Sequence, residues 1–158
     1  CFAPEQGCVF PDLTVRENLL FSKALVYSDD PFPTNEGLFK NLYHLIDTKA
    51  YSLSGGQTRM LSILMGIVRN PKYLFLDEPF AALDILTIKM LQEIIVNLQS
   101  IEKITVVVCD HQARDLLTCV DRAIVLSSGK IIASGSPNEI IKDSSARSAY
   151  FGDEFKIN

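Results

Sequence analysis

The sequence has little of what marks metal-binding, disulfide-bonded, nucleic-acid-binding or membrane-spanning proteins. It contains four cysteines and two histidines among 158 residues, without C-x-x-C spacing or a cluster of histidines. We therefore expect reduced structural thiols in a cytosolic protein rather than a metal or redox site. The net charge is −4 and the lysines and arginines are scattered, so we expect no nucleic-acid partner. No apolar stretch approaches the roughly 18 residues that cross a bilayer, and no signal-peptide pattern stands at the start.

The sequence also lacks the glycine-rich phosphate loop G-x-x-x-x-G-K-[ST], whose backbone N–H groups hold nucleotide phosphates. Gly129-Lys130 has neither the upstream glycine nor the following hydroxyl of that motif, and it predicts a hairpin turn instead. The chain begins at Cys1 without a methionine, and its first residues are typical of the end of a strand. We interpret the sequence as the C-terminal part of something longer.

The residues that are present predict an α/β fold. Hydrophobic residues make up 47% of the sequence and charged residues 22%, which is enough to build a core and argues against disorder. Short apolar strands at Tyr73–Leu76 and Ile104–Val108 alternate with helices, of which one begins after Ser54 and another covers about Ile85–Gln99. This alternation indicates a mainly parallel sheet. Further elements are predicted as a helix after Thr14, a helix over about Glu36–Ile46, a hairpin around Gly129 and a polar helical tail.

The stretch Leu53-Ser54-Gly55-Gly56-Gln57 predicts a helix start that can hold a phosphate. Ser54 caps the helix, and Gln57, three residues later, completes the pattern of a capping box. Gly55 and Gly56 allow an anion to approach the free N–H groups and the positive end of the helix dipole. An isolated motif of this kind is more often an ordinary capped helix, so its meaning depends on the rest of the chain.

Acidic residues and a histidine follow the predicted strands at the edge of the sheet where ligands collect. Asp77 ends one strand and offers carboxylate oxygens to Mg²⁺, whereas Glu78 is placed to polarise a water that attacks a γ-phosphate. His111 follows the next strand, where an imidazole can donate a hydrogen bond to a phosphate oxygen. Asp84 is predicted to be a helix N-cap, and its position just after these two carboxylates also makes it a candidate for a contact between subunits. Solvated acids, an exposed histidine and a plain cap are the ordinary structural explanations.

Together these motifs resemble those of the nucleotide-binding subunits of ABC transporters, and the resemblance covers nearly the whole chain. The matching segments, in the family's order, are Leu53–Gln57 for the signature, Phe75–Glu78 for the end of the Walker B strand, Ala82–Asp84 for the D-loop and His111 for the switch histidine. Pro4–Gly7 falls at the Q-loop, where either Glu5 or Gln6 takes the ligand position. Met60 and Met65 stand where relatives often carry arginine, so we expect the signature helix to lack some polar support.

The resemblance implies a P-loop NTPase-like (RecA-like) fold, with a mainly parallel sheet and an inserted helical subdomain, from which the N-terminal part with the phosphate loop is missing. A helical signature subdomain is expected at about 15–70, a partial RecA-like core at 1–14 and 71–135, and a C-terminal tail at 136–158. It further implies ATP and Mg²⁺ as cofactors, a head-to-tail homodimer with ATP at its interface, and transmembrane permease subunits as partners. Such a protein is cytoplasmic and peripheral on the cytoplasmic face of the inner membrane.

Within that dimer, the resemblance assigns catalysis to Glu78 and His111 and Mg²⁺ binding to Asp77. Contacts to the nucleotide are expected from Ser54, Gly55, Gly56, Gln57, Asp84 and either Glu5 or Gln6. The family places its phosphate loop upstream of Cys1, about forty residues before it. The 158-residue chain alone is therefore expected to be inactive as an ATPase.

Two ABC subfamilies share further features with the sequence. The histidine region Asp110–Asp115 and the acidic-aromatic ending Tyr150–Phe155 resemble the ATPases of lipopolysaccharide export, which we favour. Glu5 together with Arg147–Tyr150 resembles the ATPases of branched-chain amino-acid importers instead. The predicted function is therefore an ATP-hydrolysing transport subunit, with lipopolysaccharide export as the first hypothesis and amino-acid import as the second.

Two alternatives lie outside transport. A soluble ABC protein of DNA repair would carry coiled-coil arms between Q-loop and signature, and the interval from Gln6 to Leu53 has no sustained heptads. A soluble ABC protein acting on ribosomes would carry two such domains and basic linkers, which this acidic chain does not display. A degenerate, non-catalytic binding module is disfavoured because Glu78 and His111 are intact.

Overall fold

The chain falls into two units, Cys1–His111 and Gln112–Asn158, which are described separately. The structure is a computed structural model that describes residues 1–3, 8–25, 42–81 and 83–151. The predicted Q-loop residues Glu5 and Gln6, and most of the helix predicted over 36–46, lie outside these described residues.

A parallel sheet forms the centre of the first unit. Among the described residues it comprises β1 (Phe2–Ala3), β2 (Tyr73–Asp77) and β3 (Thr105–Cys109), with β2 in the middle. β2 and β3 pair in parallel, from Tyr73 opposite Thr105 to Asp77 opposite Cys109. The residues that follow both strands therefore emerge at one edge of the sheet, the carboxyl edge.

The helices of the first unit differ in how much of their surface is buried. Among the described residues they are α1 (Val15–Ala24), α2 (Gly55–Ile67) and α3 (Ile85–Ser100), with a short 3₁₀ turn at Ala50–Ser52. α2 buries every residue from Arg59 to Ile67 because it contacts β1, β2 and α1. α3 contacts β3 and buries a single stripe, as its apolar residues recur at helical spacing.

Two helices of the first unit begin with a capping box, and the one at Ser54 was predicted from the sequence. Thr14 and Glu17 form one at the start of α1, and Ser54 and Gln57 form the other at the start of α2. In each box the N-cap side chain accepts the N–H of the third helical residue, whose side chain accepts the N–H of the N-cap. Two of the backbone donors that a helix start leaves without helical partners are thereby satisfied.

Gly66 lets α2 lie close against the sheet. A Cβ atom at this position would stand 3.1 Å from Leu74 Cδ1 and 3.5 Å from Cys1 Sγ. Because Leu74 is fully buried in β2, it has little room to move away. The glycine in the middle of an otherwise apolar helix is therefore explained by helix–sheet packing.

The second unit is a hairpin with helices packed against one of its faces. Its elements are α4 (Ala113–Leu117), β4 (Ala123–Ser127), β5 (Lys130–Gly135), α5 (Pro137–Lys142), α6 (Ser144–Ala146) and a π-helical turn at Arg147–Phe151. Ser128 and Gly129 both have positive φ, as a two-residue hairpin turn requires. Leu117, Ala133, Ile140 and Ala146 form the core of this unit.

Apart from the helix predicted over 36–46, which stays a prediction, the predicted strands and helices are confirmed, with small shifts at their ends. β3 begins at Thr105 rather than at Ile104, because the Ile104 N–H donates to Leu98 O at the end of α3 instead of joining the sheet. The division into a signature subdomain at 15–70, a core at 1–14 and 71–135 and a tail at 136–158 stays a prediction.

Candidate functional site

The start of α2 is built entirely from residues within one helical turn. Ser54 Oγ accepts the Gln57 N–H at 3.3 Å, and Gln57 Oε1 accepts the Ser54 N–H at 2.8 Å. Thr58 Oγ1 also donates to Ser54 O at 3.0 Å. These bonds fix the helix start, so the backbone N–H groups of Gly55 and Gly56 point out of the helix beyond Ser54.

Neither glycine of this helix start is required by the packing around it. Of the residues that the structure describes, none comes within 4 Å of a Cβ atom placed on Gly55. A Cβ atom on Gly56 would make ordinary contacts of 3.5 Å with Leu83 Cδ2 and 3.6 Å with Thr87 Cγ2. The helix would accept alanine at both positions, in contrast to Gly66, where the sheet lies close.

The chain turns sharply where β2 ends. Glu78 has a φ of 45°, in the left-handed region that residues with a side chain adopt rarely. Its N–H donates to Cys109 O at 2.7 Å, and its carbonyl accepts the Ala81 N–H at 3.1 Å. The turn redirects the chain after Asp77, and it is held by the end of the neighbouring strand β3.

Glu78 and His111, which the sequence predicts as the catalytic pair, lie next to each other. His111 Nδ1 is 3.2 Å from Glu78 Oε2, and their side chains are 63% and 37% exposed. At this distance an Nδ1–H donates to the carboxylate, which orients both groups. The contact joins the turn after β2 to the segment after β3, so the parallel register of the two strands produces it.

A cleft of about 530 Å³ lies between the start of α2 and the turn after β2. The residues of this cleft that matter here are Gly55, Thr58, Arg59, Glu78 and Leu83. The predicted signature and the predicted catalytic carboxylate thus line one space within the first unit. Asp77, Asp84, Gln57 and His111 are not among its lining residues.

Asp84 is the N-cap of α3, as predicted. Its Oδ1 accepts the N–H groups of Leu86 and Thr87 at 3.0 and 3.1 Å, and its Oδ2 accepts the Thr87 hydroxyl at 2.5 Å. The Thr87 hydroxyl and then the Thr87 N–H lower the pKa of this carboxyl. Both carboxylate oxygens of Asp84 therefore accept hydrogen bonds within the cap. The contact of Asp84 across a subunit interface stays a prediction.

Two polar residues of this region were missed in the prediction from sequence. The Arg59 guanidinium donates to Asp77 O, and Arg59 is only 9% exposed. It ties α2 to β2 although Met60 and Met65 are apolar, so the signature helix is better supported than we expected. Asp110 accepts the Phe80 N–H at 3.0 Å through a side chain with no exposed surface. A single charge inside an apolar helix is the signal that could have identified Arg59.

The described residues contain neither a metal-binding cluster nor a membrane-crossing helix. No group of three or more His, Cys, Asp or Glu side chains among them could hold a metal ion by itself. No helix in these ranges has the length and apolar character to cross a bilayer.

The geometry and the sequence define the class of this protein. The family described as "ABC transporter" matches residues 2–81, which is more than half of the chain, and the chain belongs to that family. The resemblance stated from the motifs is thus confirmed.

Individual proteins are similar in sequence to this chain over nearly its whole length. The chain is 32% identical over 161 residues to the lipopolysaccharide export system ATP-binding protein LptB of Haemophilus influenzae. It is 39% identical over 160 residues to LptB of Acidithiobacillus ferridurans. Each alignment covers 99% of this chain and 66% of the relative, so the chain spans slightly less than two thirds of these relatives' length.

Solved structures confirm the predicted fold class. The chain is similar to cbiO1 of Clostridium perfringens, part of the ABC transporter complex cbiONQ, with a TM-score of 0.73 at 24% identity over 93% of this chain and 60% of that one. The ATP-binding cassette MJ0796, in a dimeric post-hydrolysis state bound to ADP and Pi, has a TM-score of 0.73 at 24% identity, covering 86% and 62%. The chain has the P-loop NTPase fold of ABC ATPases, α/β with a parallel sheet.

Proposed function

We propose that this chain is part of the ATP-binding and ATP-hydrolysing subunit of an ABC transporter that exports lipopolysaccharide. The observation that carries the proposal is the contact between Glu78 and His111 at the carboxyl edge of the parallel sheet. A carboxylate and an imidazole held together at this edge suit the proton and phosphate chemistry of nucleotide hydrolysis. Because the chain belongs to the ABC transporter family, ATP is the nucleotide on which we expect such a pair to act.

Glu78 is the residue that we assign to activation of water. One of its carboxylate oxygens faces His111 Nδ1, and the side chain is 37% exposed, so water can reach it. The carboxylate accepts a proton from the attacking water, while the His111 Nδ1–H keeps the carboxylate in place; a second hydrogen bond from Nε2 to phosphate oxygen requires a proton on both ring nitrogens. The left-handed backbone at Glu78 directs this side chain away from the line of β2.

Asp77 is the residue that fits Mg²⁺. It ends β2 at the carboxyl edge and is partly exposed, and its carboxylate is the type of ligand that Mg²⁺ prefers. A single carboxylate suits this ion, which usually completes its shell with phosphate oxygens and water. When bound, Mg²⁺ neutralises charge that develops on the phosphate oxygens.

The start of α2 is proposed to hold the γ-phosphate of ATP that a second subunit binds. Ser54 and Gln57 use their side-chain acceptors in the capping box, and the Ser54 O–H can still donate to phosphate. The remaining contacts come from the N–H groups of Gly55 and Gly56 and from the helix dipole. The open space around Gly55 supports this, because nothing in the chain's own described packing calls for glycine there.

We propose that the whole subunit, of which these 158 residues are part, forms a head-to-tail homodimer. In such a dimer the helix start of one subunit closes on nucleotide held by the phosphate loop of the other. The relative MJ0796 is described as dimeric with ADP and Pi, which supports a dimer of some form. A glycine-rich loop ending in Lys-Ser or Lys-Thr, read in the coding sequence upstream of Cys1, would support the arrangement, and its absence there would contradict catalysis by this protein.

The surface of α1 is proposed to receive a transmembrane permease subunit, which would place the protein on the cytoplasmic face of the inner membrane. Leu20, Phe21 and Leu25 expose apolar side chains on this helix, being 48%, 44% and 58% exposed. Exposed apolar groups of this kind mark interaction surfaces when they occur together. Phe10 extends the same surface, because its ring contacts that of Phe21 edge to face at 4.7 Å.

Lipopolysaccharide is the proposed cargo because the relatives reported above are named as LptB. Copurification of the tagged protein with permease subunits of lipopolysaccharide export would support the assignment. Copurification with the permeases of branched-chain amino-acid import would replace it with the second hypothesis. Recovery with ribosomes or DNA-repair proteins, and without a permease, would contradict a transport function altogether.

A further inference from the structure

We propose that Asp110 is a positioning residue for Glu78, whose buried carboxylate holds the turn after β2 in the conformation that brings Glu78 to His111. This inference rests on the proposed function for its effect on catalysis. Its structural part concerns only the hydrogen bond between Asp110 and the Phe80 backbone, which can be tested without nucleotide.

The burial of Asp110 is the first observation. Its side chain has no exposed surface, and Oδ2 accepts the Phe80 N–H at 3.0 Å. A carboxylate removed from water is unfavourable unless hydrogen bonds stabilise its charge. We therefore infer that the buried Asp110 carboxylate has a structural role: it accepts the Phe80 N–H and so fixes the position of this backbone group.

The turn that Asp110 contacts is the second observation. Glu78 has left-handed backbone geometry, which persists only where the surrounding structure fixes it. Its N–H is fixed by Cys109 O at 2.7 Å. Pro79 has no N–H, so Phe80 carries the next backbone donor along the chain, and Asp110 accepts it. The turn is thus held on both sides of Glu78 by consecutive residues, Cys109 and Asp110.

The position of Asp110 beside His111 is the third observation. The two residues are neighbours in sequence, and Asp110 Oδ1 lies 3.9 Å from His111 Nδ1. A change at Asp110 therefore acts on both partners of the Glu78–His111 contact, since it releases the turn and the segment that carries the imidazole. Phe80, whose side chain is fully buried, anchors the far end of the turn.

Two substitutions distinguish the role of the Asp110 side-chain oxygen as a hydrogen-bond acceptor from the role of its charge. Asp110→Asn keeps a side-chain oxygen of the same shape that can accept the Phe80 N–H, whereas Asp110→Ala removes the acceptor. Asp12→Ala, which deletes an exposed carboxylate of the same unit, is the matched control.

The structural readout is the backbone amide resonance of Phe80 and Glu78 in the ¹⁵N-labelled intact subunit without nucleotide. We expect both resonances to move in Asp110→Ala, to stay near their original positions in Asp110→Asn, and to be unchanged in Asp12→Ala. An unmoved Phe80 amide in Asp110→Ala overturns the inference. If Asp110→Ala does not fold, a Phe80 amide that has lost its hydrogen-bonded position in the folded Asp110→Asn variant overturns it instead.

The catalytic readout uses the assembly in which a phosphate loop completes the site. We expect Asp110→Ala to lower kcat by about 100-fold with little change in KM for ATP, because a carboxylate displaced by about 1 Å loses that much activity. Asp110→Asn should retain most of the activity, and its loss to the level of Asp110→Ala would overturn the positioning role. If Phe80 responds as expected but the intact assembly has no ATPase activity, the proposed function fails and the structural role of Asp110 stands.

Discussion

The start of α2 and the carboxyl edge of the sheet face the same cleft, but they are built in different ways. The helix start is fixed by bonds between residues three or four positions apart, from Ser54 to Gln57 and Thr58. The sheet edge is fixed by bonds across the fold, such as that between Phe80 and Asp110, thirty positions apart. The first therefore depends on local sequence, whereas the second depends on the packing and register of two strands.

The largest expected effect lies at the sheet edge. In the assembly in which a phosphate loop completes the site, Glu78→Gln should lower ATP hydrolysis by about 1,000-fold, because the amide cannot accept the proton of water. ATP binding should persist, so a closed dimer should accumulate and be seen by size-exclusion chromatography. Glu93→Gln, an exposed change on α3, is the control. Turnover retained in Glu78→Gln would rule out Glu78 as the general base.

The bond that joins the two regions should have the next largest effect. Arg59→Ala removes a buried donor from Asp77 O and should lower the free energy of unfolding by about 2 kcal/mol. Arg16→Ala breaks an exposed pair with Asp47, which solvent screens, and should cost clearly less. Urea unfolding measures both variants, and equal costs would show that Arg59 does not tie α2 to β2.

At the helix start, Ser54→Ala should cost about 1 kcal/mol, because it removes the acceptor of the Gln57 N–H. Thr14→Ala opens the matching box of α1 and should cost a similar amount without any effect on nucleotide-driven dimerisation. Ser54→Asp keeps an N-cap acceptor but places a negative charge where phosphate is expected. It should therefore preserve stability in thermal unfolding and lose dimerisation with ATP; a variant that still dimerises would contradict phosphate binding here.

Gly55→Ala should separate folding from function at the same helix start. The position has room for a Cβ atom, so the free energy of unfolding should change by less than about 1 kcal/mol and can increase. Dimerisation with ATP should weaken, because a methyl group occupies the space proposed for phosphate. Gly66→Ala is the contrasting variant, since its Cβ atom would meet Leu74 at 3.1 Å and should destabilise the fold. Normal dimerisation of Gly55→Ala would remove the reason for glycine at this position.

The smallest effect concerns pH. The Thr87 hydroxyl and N–H groups lower the pKa of Asp84 in the folded chain, so its ionised form stabilises the fold above its unfolded pKa. That stability is lost as the pH falls through the folded pKa, below about pH 4. Asp84→Asn should flatten this part of the stability curve, measured by urea unfolding between pH 5 and pH 2. An unchanged slope in this variant would mean that the carboxylate of Asp84 does not contribute through its charge.

Sequence patterns predicted the local parts of the site well. The capping box at Ser54, the N-cap at Asp84 and the strand ending at Asp77 follow from residues that lie close together in the chain, and the second strand, predicted to end at Val108, ends one residue later at Cys109. Parallel pairing then made the proximity of Glu78 and His111 predictable, because adjacent strands end at one edge. Their roles in catalysis, and those of Ser54–Gln57 in binding nucleotide, remain predictions.

The partners of Arg59 and Asp110 were beyond prediction from the sequence, because both are backbone groups far along the chain. Asp77 O and the Phe80 N–H carry no sequence signature, since every residue except proline has both groups. Only the packing of α2 on β2, and the order of β2 beside β3, bring these groups within bonding distance. The same holds for the left-handed φ of Glu78, which local sequence would not favour.

The amino-acid sequence by itself determined the family, the α/β fold and the helix start at Ser54, because these depend on hydrophobic period, capping residues and motif order. Tertiary structure decided which distant groups come into contact: the side chains of Glu78 and His111, the Arg59 guanidinium and Asp77 O, and the Asp110 carboxylate and the Phe80 N–H. The physical reason is how far apart along the chain the hydrogen-bond partners lie. A helix cap satisfies its donors within one turn, whereas a buried carboxylate or guanidinium must find a partner wherever packing removes it from water.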